Sequence, residues 1–109
     1  MQHQGLENGR WAELTFPQQM ANIGSETSRI YRALEAGKEA RAESAFVRFQ
    51  ELVDLRIKYG RADASPTLRS AMLEELCRLR ELYCKAFLER NLPELAAFNR
   101  YFDCFAYSA

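Results

Sequence analysis

The chain contains three prolines, and each follows a residue suited to cap a helix. Pro17 comes two residues after Thr15, Pro66 directly after Ser65, and Pro93 two residues after Asn91. Proline breaks a helix interior, because it lacks an amide hydrogen and its ring clashes with the preceding turn. In the first turn it costs nothing and presets φ. Thr15 and Gln18, and again Asn91 and Glu94, stand at capping-box spacing. The prolines therefore read as three helix starts, and Gly37 and Gly60 as helix ends.

Between these marks the apolar residues recur at spacings of three and four. Phe16, Met20, Ile23, Thr27, Ile30 and Leu34 make one stripe. Ala42, Ala45, Phe46, Phe49, Leu52, Val53 and Ile57 make a second, and Leu68, Met72, Leu76, Leu79, Tyr83 and Phe87 a third. Leu95, Phe98, Phe102 and Phe105 make the last. This is the period of one face of an α-helix, and no segment alternates with period two. The spacing predicts an all-α fold, a four-helix up-down bundle with helices over about 16–36, 38–59, 66–90 and 92–106. The short link at Gly37 makes the first two helices antiparallel neighbours. Residues 1–10 are expected to form an arm, with Trp11 beginning a single domain over 11–109.

Fifteen basic and fifteen acidic residues cancel. This argues against a nucleic-acid partner, which calls for a basic excess. No apolar run approaches the roughly 18 residues of a membrane span, and the first residues lack a signal-peptide core, so the expectation is cytoplasmic with no membrane partner. Cys77, Cys84 and Cys104 are odd in number and form no CxxC pair, which points to thiols rather than disulfides. The one histidine, His3, lies in the arm. Glu-x-x-His pairs, phosphate loops and nucleophile–histidine arrangements are missing, so neither metal nor cofactor is expected, and the reading leans away from an enzyme.

Six residues depart from the amphipathic pattern: Asn22, Gly24, Glu26, Arg29, Arg56 and Arg80. At about 100° per residue, Arg56 falls between Phe49 and Leu52, and Arg80 between Phe87 and Leu73, both inside apolar sectors. Arg56 is near a helix end and can snorkel to water. Arg80 is mid-helix and calls for a carboxylate. Glu26, at the rim of the first stripe, is the favoured partner, with Glu75 and Asp54 as rivals and Asn22 or Arg29 completing the hydrogen bonds. Gly24 costs a helix roughly 1 kcal/mol against alanine, so it needs a reason. Close approach of another helix is favoured over a recess beside Glu26.

The order "WAELTFPQQMANIGSE", "AFVRFQELVDLRI", "ELCRLRELYC" and "YFDCFAY" resembles a family of small, uncharacterised helical proteins from bacteria and archaea, and "MANIGSE" is the most specific part. The resemblance implies a helical fold without an established activity, and places Gly24, Glu26, Arg78 and Arg80 among motif residues. At the level of fold, the chain is also similar to the helical partner subunits of two-component minimal nucleotidyltransferase systems. Related HEPN ribonucleases use an Arg-x4-6-His motif, and no histidine follows His3 here.

The leading functional expectation is a non-enzymatic helical module acting on a protein partner. The alternative is a small-anion or enzymatic site around Glu26 and Arg80, or a nucleotidyltransferase partner subunit. A homodimer is expected, since the C-terminal phenylalanines suit a subunit interface and Leu55 and Leu88 point away from their own stripes.

Overall fold

The computed structural model describes residues 13–58 and 66–106, without the side chains of Lys58 and 66–72. The expected arm, His3, Trp11, Gly60, the Ser65 cap and the Leu68 and Met72 side chains lie outside that description. The chain forms four helices: α1 (Phe16–Glu35), α2 (Glu39–Lys58), α3 (Pro66–Leu88) and α4 (Leu92–Ala106). Together they make the all-α bundle read from the stripes.

The caps act as the sequence implies. Thr15 Oγ1 accepts from the Gln18 amide and the Gln18 side chain accepts from the Thr15 amide, a full capping box with proline in the first turn. Gly37 adopts φ 71°, and the Lys38 amide reaches back to the Ala33 carbonyl at 2.8 Å, which closes α1. At the end of α3 the left-handed position is held by Arg90, φ 53°, instead of a glycine. This is why the helix stops at Leu88, short of the expected 90. The Arg90 guanidinium donates from Nε and Nη2 to the two Glu39 oxygens at 3.3 and 2.8 Å, and lies over the Phe87 ring. That pairing holds Glu39 below the usual carboxylate range, through the Arg90 hydrogen bond first and its charge second. Asn91 Oδ1 then accepts the Glu94 amide and starts α4.

Consecutive helices run antiparallel. Between α2 and α3, Asp54 meets Arg80, Gln50 meets Cys84, and Phe46 stacks on Phe87 with ring centres 4.0 Å apart. α1 packs against α2 and α4, and α3 against the same two helices at fewer backbone approaches. The order around the bundle is therefore α1–α2–α3–α4. The core centres on Ile23, Ile30, Phe49, Val53, Tyr83 and Leu95, all fully buried.

Two expectations about the surface fail here. Leu55 is only 2% exposed, so it belongs to the core. α2 is covered on two sides, which widens its buried arc beyond one stripe. The C-terminal rings also pack within the chain: Phe102 is 1% exposed, Phe105 meets Phe16 edge-on, and Phe98 meets Tyr83. Neither observation supports a dimer built on those residues. Leu88 does stand out as read, 73% exposed.

Candidate functional site

Among the described residues Glu26 is the buried carboxylate. It sits on the α1 face turned toward α2, with its side chain 4% exposed. One turn on, Arg29 Nη1 pairs with Oε1, and from α2 Arg48 Nε donates to Oε2 at 2.9 Å. Both oxygens are therefore held by guanidinium groups, as a buried carboxylate requires. Arg48 also donates from Nη1 to Ser44 Oγ at 3.0 Å, which fixes the plane of its fork.

This pair forms one end of a groove of about 570 Å³ between the second half of α1 and the first half of α2. Small residues on its walls, Ala33, Ala36 and Ala45, leave room between the helices. Five cations line it: Arg29, Arg32, Lys38, Arg41 and Arg48. Arg32, Lys38 and Arg41 are exposed and make no ion pair or side-chain hydrogen bond among the described residues. The chain as a whole is neutral, and none of the described residues lining the groove is acidic, so this is a local concentration of positive charge. Charges gathered along one cleft reinforce one another's field and attract anions.

The six residues singled out from the sequence do not form one cluster. Glu26 and Arg29 do come together. The Glu26–Arg80 pair does not form, because α1 and α3 are not neighbours around the bundle. Arg80 instead pairs with Asp54, the named rival on α2, with side chains 32% and 67% exposed. Asn22 is exposed and donates from Nδ2 to the Gln18 carbonyl of its own helix, apart from the ion pair. Arg56 lies near the far end of α2. It does not snorkel free: it is 6% exposed, its guanidinium lies 4.8 Å from the Phe16 ring centre, and its Nε has no acceptor. Burial lowers its pKa. Gly24 packs against α4: a Cβ there would fall 2.6 Å from Phe102 Cβ. Close approach, not a recess, is its role.

Arg32, Lys38, Arg41, Ser44 and Arg48 were not read as site residues. Their signal was available in two helices taken together. Arg29 and Arg32 are three apart, as are Lys38 and Arg41, and Arg48 follows two turns after Arg41. With a short antiparallel link, these sets face each other. Arg78, the remaining motif residue of the resemblance, lies elsewhere, on the α3–α4 cleft with Leu82 and Tyr101. Burial first, then the charge and hydrogen bond of Glu75, push the Tyr101 phenol up to about 12.

Among the described residues no group of His, Cys, Asp and Glu is placed to hold a metal, and no helix is long and apolar enough to cross a membrane. Compared with protein-family models, curated proteins and solved structures, the chain matches none.

Proposed function

We propose that the chain is a non-enzymatic binding module whose α1–α2 groove takes an anionic ligand. The observation that carries this is the lining of the groove. Three cations without carboxylate partners among the described residues, Arg32, Lys38 and Arg41, stand beside two arginines already oriented by Glu26. Unlike scattered surface charges, they converge on one space, and an anion there would replace absent ion pairs without breaking one. The alternative expectation of an anionic site near Glu26 is thus taken up here, with the α2 cations in place of Arg80.

Ligand-linked stability tests this directly, since anything that binds only the native state raises the melting temperature. Phosphate should raise it above chloride at matched ionic strength. The exposed variant Lys38→Glu/Arg41→Glu should lose that difference. Equal melting curves in both anions for the native chain would defeat the reading.

A second surface favours a second reading, that of a protein partner. Leu88 is 73% exposed and Val47 45% exposed, and the antiparallel register of α2 and α3 sets them at the same end of that seam. Exposed apolar side chains brought together mark contact surfaces. We assign this face to a homodimer. Sedimentation should show self-association that Leu88→Lys abolishes, and a monomer at high micromolar concentration would refute it. Three unbridged cysteines suit a reducing compartment, so we place the chain in the cytoplasm.

A further inference from the structure

We infer that the ligand of the α1–α2 groove is a linear oligophosphate, a molecule with two or more phosphoryl groups in a row. This rests on the groove being an anion site, and goes beyond it in naming the class.

The first argument is length. Lys38 stands at the start of α2, just before Glu39, and Arg41 and Arg48 lie within it, so at about 1.5 Å per residue the first and last are roughly 15 Å apart. Arg32 and Arg29 run the other way on α1 and face them. A single phosphate can meet the forks at one end only. It would leave the cations at the other end as unpaired as before. A row of phosphoryl groups can run from the Lys38–Arg41 end to the Arg29–Arg48 end and meet both.

The second argument is the donor set. Four of the five cations are arginines. The planar fork of arginine matches the oxygens of a phosphoryl group two at a time, whereas a lysine acts as a point charge. Ser44, beside Arg48, adds a hydroxyl on the same wall.

The third argument is preparation. Glu26 ties down Arg29 and Arg48, and Ser44 ties down Arg48 again. Side chains already ordered lose less freedom on binding. Glu26 offsets one of the two arginine charges it holds, and at 4% side-chain exposure it presents little of its own surface to the ligand. The volume, about 570 Å³, is that of a small-molecule site, which typically measures roughly 300–1,000 Å³.

Isothermal titration calorimetry at low ionic strength, with phosphate, pyrophosphate and tripolyphosphate as probes, tests the inference. Affinity should rise about tenfold or more at each step, as each added group gains a charge-assisted contact. Arg32→Ala/Lys38→Ala/Arg41→Ala should lower tripolyphosphate affinity at least about a hundredfold, while its circular dichroism and melting temperature stay those of the parent. Tripolyphosphate binding unchanged in that variant would overturn the assignment to this groove. Phosphate binding as tightly as tripolyphosphate would overturn the oligophosphate inference and leave the anion site standing. No binding of any of the three would overturn both. Tighter binding of an aspartate-rich peptide or a short single-stranded oligonucleotide than of tripolyphosphate would also reject it, in favour of an acidic macromolecule.

Discussion

Replacing Gly24 with alanine sets two opposed effects against each other, and the structure says which wins. Inside an isolated helix the change should gain about 1 kcal/mol. Here the new methyl would sit 2.6 Å from Phe102 Cβ and 3.3 Å from Cγ. Carbon atoms rest at about 3.5–4.0 Å, so α1 and α4 must part locally by about 1 Å. The side chain of Phe102 offers no easy way out. The colliding atom is its Cβ, fixed to the backbone, and the residue is 1% exposed. Overpacking of this kind costs about 1–3 kcal/mol, and a contact next to backbone belongs at the upper part of that range. The net expectation is a loss of about 1–2 kcal/mol. Urea unfolding would show it as a midpoint lowered by roughly 0.5–1 M at unchanged slope. Ser25→Ala, next along α1 on an exposed position, is the control and should gain about 0.5 kcal/mol from propensity. A Gly24→Ala chain as stable as the parent, or more stable, would refute the reasoning.

Glu26→Gln should cost about 1–3 kcal/mol in the same assay, between exposed and buried ion pairs, since the carboxylate is buried but its arginines can turn to water. A loss below about 0.5 kcal/mol would contradict its burial. By contrast, a double-mutant cycle on the more exposed pair Arg80–Asp54 should return a coupling of only about 0–1 kcal/mol. Arg56→Met replaces a desolvated charge, without a carboxylate partner among the described residues, with a packed apolar chain. Chemical denaturation should show stability kept or raised by up to about 2 kcal/mol, and a loss of that size would count against the reading. Tyr83 is fully buried and its hydroxyl has no partner among the described residues, so Tyr83→Phe should gain about 1 kcal/mol, read from its melting curve. The Tyr101 phenol, raised from 10.0 to about 12, predicts the alkaline limb. Between those pH values the unfolded chain has lost a proton that the native chain keeps, so stability is full below pH 10 and falls toward pH 12. Unfolding midpoints that stay level across that window would oppose it.

The helices were legible because their signals are local. Thr15, Pro17 and Gln18 are within one turn, and so are Asn91, Pro93 and Glu94. The end of α3 was less so: Arg90 takes the left-handed conformation that glycine usually fills, and its reason is distant, Glu39 on α2. The candidate site was legible in part. A helical wheel orders directions around one helix but does not say which helix lies there. Glu26 was rightly placed at a rim needing a cation, yet the cation came from α2. Leu55 failed for the same reason, since a second covering helix buries what one stripe leaves out. Gly24 succeeded because only a close neighbour justifies a glycine in mid-helix.

The unequal spacing around the bundle has a consequence for how the native state opens. α1 lies backbone-close to α2 and α4, whereas α3 stands further off, and its described contacts run through side chains: Phe87 on Phe46, Tyr83 between Phe49 and Phe98, and the buried Leu76 and Leu79. Contacts between ring faces weaken steeply once a gap of even 0.5–1 Å appears, while helices in backbone contact have further atoms to meet. α3 should therefore detach as a unit before the rest unfolds. Its amides should exchange with solvent deuterium by a partial opening of lower free energy, and those of α1 around Ile23 and Ile30 only when the whole chain comes apart.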